Sequence, residues 1–216
     1  MLKIDVFTLN PVQENTIILS TENGECAIID PGVYSHNEKV FVEGFIKKNN
    51  LNPVQLLNTH THIDHVLGLN WAAKTYNLVP HFHVLDMPIY ERAAMSAERW
   101  GMSYDNYDGA VNFIKEGDEI KLGEDILKVL FVPGHAPGHV CFYNTAQNFV
   151  IAGDTLFRHS IGRTDLPYCN HDDLIRTVHS ELLTLPDNTV VYPGHGPTTT
   201  IGEEKEHNPF LINKRA

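Results

Sequence analysis

The chain has 216 residues, 42% of them hydrophobic, which predicts one compact domain over residues 1–216. Its 16 lysines and arginines against 27 acidic residues give a net charge of −11, so the basic footprint of a nucleic-acid-binding protein is absent. The N-terminal sequence has no apolar core of signal-peptide length, and no run approaches the ~18 apolar residues of a membrane helix. We therefore expect a cytoplasmic protein without a membrane or nucleic-acid partner. The three cysteines are far apart, which predicts reduced and mostly structural thiols.

The first half of the chain alternates strand and helix signals. LKIDVFTL, NTIILS and ECAIID are separated by turn residues and predict a small antiparallel meander. Apolar side chains at helical spacing then predict a helix from about His36 to Asn50. The next predicted elements are a strand at Val54–Leu57, a helix over Leu69–Tyr76 and a strand near Val79–Val84. This alternation is typical of an α/β unit.

The second half begins with a change of pattern. The segment Asp86–Asn112 is rich in Met, Tyr and Trp and predicts one helix followed by an irregular loop. The predicted elements beyond it are strands at Glu119–Leu122, Ile126–Val132, Val140–Tyr143 and Phe149–Ala152, a helix over Asp172–Leu183 and a last strand at Thr189–Tyr192. Both halves place strands before a helix. This order predicts an α/β fold of two packed sheets with helices outside.

A histidine cluster follows the strand at Val54–Leu57, in the sequence LLNTHTHIDHVLG. If the strand ends at Asn58, His60 and His62 alternate onto one side of an extended loop. Asp64 and His65 then begin a helix and approach the same space from a second direction. Imidazole and carboxylate groups suit zinc, iron or manganese. The alternative is chance clustering in a chain with 13 histidines, with the cluster only capping a helix.

Three further strand ends carry the same side-chain chemistry. They are VPGHAPGH with His135 and His139, AGDT with Asp154, and YPGHGP with His195. Each places histidine or aspartate beside glycine, which lets the backbone turn sharply and approach a site closely. Each one alone is weak evidence, but together with the first cluster they indicate a metal centre.

These motifs resemble the metallo-β-lactamase superfamily, whose H-x-H-x-D-H signature is followed by separate His, Asp and His motifs. The resemblance implies an αββα sandwich of two mixed sheets, with a two-metal site at one edge and zinc as the first expectation, iron or manganese as alternatives. It assigns one metal to His60, His62 and His135 and the other to Asp64, His65 and His195, with Asp154 bridging. Asp64 and Asp154 are also the expected catalytic residues, Asp64 as the group that orients the attacking hydroxide.

Within that superfamily, the segment GDTLFRHSIGRTD and the tail YPGHGPTTTIGEE resemble the short, single-domain type II glyoxalases. This resemblance implies hydrolysis of a small-molecule thioester such as S-D-lactoylglutathione. Arg163 is then a candidate for binding the glutathione moiety, although it could instead pair with Asp165 and order the loop. His139 is a candidate for a substrate-facing or site-orienting hydrogen bond, or for a packed strand-start histidine. The segment Asp86–Asn112 could form a wall of the cleft or merely cover the core.

Two other functions remain open at this stage. Iron-dependent persulfide dioxygenases share the G-R-T-D segment. Their motifs G-H-T-P-G-C and Y-P-A-H, however, have Cys and Ala where this chain has His139 and Gly194. A metal-stabilised binding protein without catalysis is the second alternative. The histidines outside the motifs are interpreted as structural: His36, His81, His83, His159, His171, His179 and His207.

Overall fold

The computed structural model describes residues 1–212 and places the N-terminal half of the chain in a six-stranded sheet. Its strands lie in chain order: β1 (Lys3–Leu9), β2 (Glu14–Ser20), β3 (Glu25–Ile29), β4 (Asn52–Leu57), β5 (Pro80–His83) and β6 (Asn112–Ile114). Strands β1 to β3 pair antiparallel, which confirms the predicted meander, whereas β3 to β6 pair parallel.

A second six-stranded sheet contains most of the C-terminal half and has the order β14-β13-β10-β9-β8-β7. In chain order the strands are β7 (Glu119–Leu122), β8 (Asp125–Phe131), β9 (Val140–Asn144), β10 (Phe149–Gly153), a separate hairpin of β11 (Leu156–Phe157) and β12 (Ser160–Ile161), β13 (Val190–Pro193) and β14 (Thr199–Thr200). Only the β10–β13 pairing is parallel in this sheet, so both sheets are mixed.

The helices are α1 (His36–Lys48), α2 (Ile63–Val66), α3 (Leu69–Tyr76), α4 (Met87–Tyr90), α5 (Ala93–Arg99), α6 (His171–Thr177) and α7 (Ile201–His207). A 3-10 turn at Val84–Asp86 precedes α4, and a π-helical turn at Val178–Leu182 extends α6. The predicted helices over Leu69–Tyr76 and Asp172–Leu183 are therefore confirmed. Among residues 1–212, no helix has the length and apolar character needed to cross a membrane, and the cytoplasmic location stays a prediction.

The two sheets pack face to face because successive strand residues point to opposite sides. In β2, Ile17 belongs to the cluster between the sheets, which includes Phe142 and Ile151 of the second sheet. Its neighbour Ile18 belongs to the outer cluster that α1 and α3 cover. A third cluster lies between the second sheet and α6. These layers confirm the predicted αββα arrangement with helices outside.

The segment Asp86–Asn112 differs from its prediction of one helix and a loop. It forms two short helices, α4 and α5, with an irregular stretch that ends in strand β6. Glu91 and Arg92 form a turn between the helices, and this turn leaves Ile89, Tyr90 and Ala93 all buried. The hydrophobic side chains of this segment thus pack as two short helices in place of one long one.

Candidate metal centre

The loop after β4 brings the first four predicted ligands together. Leu56 and Leu57 end the strand on opposite faces, in the outer and the central core. His60 follows in the loop, His62 is the N-cap residue of α2, and Asp64 and His65 lie in its only turn. The sequence prediction of an extended histidine pair followed by a helix start is therefore confirmed.

The second sheet supplies the other three predicted ligands from the ends of its strands. His135 follows β8, Asp154 follows β10 and His195 follows β13. Strands β10 and β13 are parallel neighbours, so Asp154 and His195 emerge at the same edge. An isolated bridge between Glu14 and His195 joins this edge to β2 of the first sheet.

All seven predicted side chains converge as two triads on either side of Asp154. The ligand atoms of His60, His62 and His135 lie within 4.8 Å of one another, as do those of Asp64, His65 and His195. The Asp154 carboxylate lies 3.4 Å from Nε2 of His65 and 3.5 Å from Nε2 of His135. It also lies 3.7 Å from Nε2 of His195. One carboxylate thus reaches both triads.

The remaining ring nitrogens explain why these histidines face the centre. Nδ1 of His135 donates to the carbonyl of Arg163 at 2.8 Å, and Nδ1 of His195 lies 3.1 Å from the carbonyl of Gln13. Nδ1 of His65 lies 3.1 Å from the Asp30 carboxylate. A proton held on Nδ1 leaves the Nε2 lone pair available to a cation.

Several buried polar atoms at this centre fit a bound cation. Among the described residues, Nε2 of His60, Nε2 of His65 and Oδ1 of Asp154 are buried without a hydrogen-bond partner. Buried polar groups are normally paired, so unpaired atoms in both triads and in the shared carboxylate are the atoms that bound cations would contact. Neutral imidazoles with a carboxylate are the donor set of zinc, iron and manganese sites. The residues present therefore fit two divalent ions.

The protonation of the ligands agrees with that interpretation. Burial lowers the pKa of His60 well below its usual value and lowers the pKa of His62 to about 3, so both rings are neutral. Burial alone would raise the pKa of Asp154, but His65, His135 and His195 hold it below its usual range. Burial alone would lower the pKa of His65, but Asp154, Asp64 and Asp30 raise it well above the usual value. A divalent cation between these groups would compete with the His65 proton.

Comparison with known proteins identifies the architecture. The family model described as the metallo-beta-lactamase superfamily matches residues 9–195. The chain belongs to the metallo-β-lactamase superfamily. It is 34% identical to the hydroxyacylglutathione hydrolase GloC of Haemophilus influenzae, over 99% of this chain and 100% of that protein.

Two solved structures are similar over nearly the whole chain. The structure of TTHA1623 in a di-iron-bound form has a TM-score of 0.86 and 39% identity, over 96% of this chain and 100% of that one. The B3 metallo-β-lactamase BLEG-1 has a TM-score of 0.90 and 32% identity, over 98% of this chain and 100% of that one.

Sequence analysis missed two buried carboxylates, Asp30 and Glu14, that lie behind the ligand histidines. Asp30 accepts from the Thr59 backbone N–H at 2.7 Å and from the Thr59 hydroxyl at 2.6 Å, and it contacts Nδ1 of His65. Glu14 is fully buried 3.9 Å from the same nitrogen, and burial raises its pKa well above the usual value. Asp30 lies near His60 as well, but its contacts are on the side of His65 that faces away from Asp154. We therefore place it behind the ligands and not among them.

His139 lies behind the centre and not in the cavity beside it. It is completely buried, stacks on His60 at 4.8 Å between ring centroids, and accepts the Asp154 backbone N–H at 3.0 Å through Nε2. This geometry supports the orienting role among the alternatives for His139, because the ring holds the backbone of the shared carboxylate.

A cavity of about 470 Å³ opens directly onto the centre. His62, Asp64, His135, Asp154 and His195 all line it. The segment Asp86–Asn112 forms one wall through Met95, Trp100 and Met102, while Tyr90 and Tyr104 pack behind that wall against the core. The loop that carries Arg163 and Tyr168 also lines the cavity.

Arg163 lines this cavity, but its guanidinium is occupied. Nε and Nη2 donate to the two carboxylate oxygens of Asp165 at 2.7 and 2.9 Å. The geometry therefore supports the loop-ordering alternative for Arg163.

Among the described residues, the histidines and cysteines interpreted as structural belong to neither ligand triad. Nδ1 of His81 lies 3.3 Å from the carbonyl of Leu56, His83 stacks on Phe131, and His159 pairs with Glu203. The three cysteines are free, as expected, and Cys169 donates to the carbonyl of His135.

Proposed function

We propose that the protein is a metal-dependent hydrolase of thioesters, with hydroxyacylglutathiones such as S-D-lactoylglutathione as its substrates. The observation that carries this proposal is the pair of ligand triads that share Asp154 at the floor of an open cavity. The relationship to the hydroxyacylglutathione hydrolase of Haemophilus influenzae supports the choice of thioester.

The chemistry of this site would combine bound ions with the residues of the chain. Two divalent ions would polarise the acyl carbonyl and lower the pKa of a water molecule. Asp64 lines the cavity and lies 3.0 Å from Nε2 of His195, where its carboxylate can orient the attacking water. Asp154 holds both triads in register through contacts with His65 and His135. The apolar walls around Trp100 and Phe157 would exclude other water molecules from the acyl group.

Zinc is the first metal we propose, with iron or manganese as alternatives. The His-rich donor set suits all three, and cellular availability often decides which one is bound. The di-iron form of TTHA1623, 39% identical to this chain, supports iron as a real alternative. Elemental analysis of the purified protein would identify the metal, and we expect two ions per chain.

The test is thiol release from S-D-lactoylglutathione by protein loaded separately with zinc, iron or manganese. We expect hydrolysis with at least one metal, and no oxygen consumption with glutathione persulfide. Oxygen consumption without thiol release from any acyl-glutathione would replace the hydrolase with the dioxygenase. The complete second triad favours the hydrolase, because the dioxygenases use a single iron.

β-Lactam hydrolysis is the second candidate function. The observation that favours it is the likeness to the BLEG-1 lactamase, at 32% identity and a TM-score of 0.90. A chromogenic cephalosporin assayed beside the thioester distinguishes the two functions, and we expect the larger kcat/KM for the thioester.

A further inference from the structure

Helix α5 and its N-cap residue Arg92 present one face to the cavity, and that face carries two arginines. Arg92, Met95, Ser96 and Arg99 all line the cavity and follow the i, i+3, i+4, i+7 spacing of a single helix face. The opposite face packs on the core through Ala93 and Ala97, each 1% exposed. The two arginines are two turns apart, about 10 Å along the helix axis.

Neither arginine is neutralised by a carboxylate in the part of the chain that the structure describes. Within residues 1–212, the lysines and arginines that form ion pairs are Lys3, Arg163, Arg176 and Lys205. Arg92 instead lies over the Tyr168 ring at 5.3 Å, and Arg99 has only a 4.0 Å contact with the sulfur of Met95. Two unpaired arginines on one cavity wall stand out in a chain of net charge −11.

The distribution of acidic groups in the cavity points to the charge of its ligand. Among residues 1–212, the acidic side chains that line it are those of Asp64 and Asp154, and both belong to the metal centre. The α5 wall therefore carries positive charge, whereas the carboxylates at the cavity floor belong to the metal centre and would bind cations. A ligand that spans both regions needs a reacting group over the floor and an anion against α5.

We propose that Arg92 and Arg99 form a carboxylate-binding subsite, which selects thioesters whose thiol part carries carboxylates at its far end. Guanidinium groups suit this role because they bind carboxylates through paired, charge-assisted hydrogen bonds. The inference rests on the proposed function and moves the recognition of the thiol part from Arg163 to α5. Met95 and Trp100 line the same cavity, where they would contact the apolar stem of the ligand.

The test measures binding and not turnover, so it stands apart from the test of hydrolysis. The probes are S-hexylglutathione, an inert thioether with two carboxylates, and its dimethyl ester, which lacks both negative charges. Calorimetry with the metal-loaded wild-type protein should show at least about tenfold tighter binding of the diacid, the range expected for one lost charge-assisted contact.

The variants Arg92→Met and Arg99→Met keep the apolar stem and remove the charge. Each should weaken binding of the diacid about tenfold, and the double variant should bind diacid and diester with equal affinity. Arg176→Met is the matched control, since Arg176 lies outside the cavity and pairs with Asp173, and it should keep the wild-type preference.

Three results would overturn the subsite. They are equal binding of the two probes by the wild-type protein, a preference that survives in the double variant, and no binding of either probe. A wild-type protein that shows the preference but releases no thiol from S-D-lactoylglutathione would keep the subsite and remove the proposed reaction.

Discussion

Asp154 is the single side chain on which both triads depend. It contacts His65 on one side and His135 on the other. Gly194 lies so close beside it that a Cβ added to Gly194 would come 2.7 Å from Cε1 of His65. Only glycine therefore fits beside the shared carboxylate.

Replacement of Asp154 by alanine should lower both metal content and turnover. The variant loses the carboxylate that offsets three neighbouring histidines, so we expect less than two metals per chain and at least about a hundredfold lower kcat/KM for every thioester. Elemental analysis and steady-state kinetics measure the two effects. Asp187→Ala, an exposed aspartate paired with Lys205, is the control. Full metal content in Asp154→Ala would show that the triads bind without it.

The Arg163 and Asp165 side chains should behave as one unit. Both are largely exposed, at 51% and 69%, so solvent screens their ion pair and it contributes little to stability. The carbonyl of Arg163 still holds His135, so a disordered loop would affect the ligand indirectly. We expect Arg163→Ala and Asp165→Ala to lower kcat/KM by the same small factor, at most about fivefold, on thioesters with or without glutathione. A ten- to hundredfold loss confined to Arg163→Ala and to glutathione thioesters would instead assign glutathione binding to Arg163.

At the scale of helices and strands, the sequence-based predictions of secondary structure are most accurate where one period of apolar residues dominates. Helix α3 and the meander β1 to β3 follow directly from apolar spacing and turn residues. Helix α7 was missed, although Thr200 and Glu203 have the spacing of a helix cap and the Thr200 side chain accepts the Glu203 backbone N–H. Strand β6 was missed because it has three residues and two of them are exposed.

The ligand loops were predictable because each places a ligand residue directly after an apolar strand. The residues behind them were not, since a buried carboxylate is recognised only by what surrounds it. Asp30 ends the predicted strand ECAIID, and its contacts with Thr59 and His65 depend on the parallel pairing of β3 with β4. The two α5 arginines were missed because a single long helix was expected there, and a long helix gives no indication of which face meets the cavity.

Asp86 joins the two loops that carry the triad of His60, His62 and His135. Its carboxylate accepts the Thr61 backbone N–H at 2.7 Å and the Gly138 backbone N–H at 2.6 Å. Burial outweighs these bonds and raises the pKa of Asp86 to about 6. The folded protein therefore holds this proton more tightly than the unfolded chain does.

The raised pKa makes the contribution of Asp86 to stability depend on pH. It is fully present below about pH 4, where both states are protonated, and is lost as the pH rises to about 6. The free energy of unfolding of the wild-type protein, relative to that of Asp86→Asn, should fall by on the order of 3 kcal/mol across this range. This difference in the free energy of unfolding should stay constant above about pH 6. Urea unfolding of both proteins in chelator at a series of pH values measures the difference, and parallel pH profiles would contradict it.

At the scale of the whole molecule, the metal centre lies where the two sheets meet. Four predicted ligands follow β4 of the first sheet, and three follow β8, β10 and β13 of the second. The direct contacts across this junction include His62 with His135 at 2.8 Å and Asp64 with His195 at 3.0 Å. Cations bound here would therefore connect both halves of the sandwich.

Removal of the metal should destabilise the entire fold and not only the ligand loops. A ligand that binds only the folded state stabilises it by RT ln(1 + [L]/Kd), which is about 4 kcal/mol at a thousandfold excess over Kd. The Tm should accordingly rise with the concentration of free zinc and fall in chelator, with near-UV and far-UV circular dichroism reporting one shared transition. Asp154→Ala provides the control, because its Tm should depend much less on zinc. If chelator changes only the near-UV signal and leaves the Tm in place, the ions order the site without joining the sheets.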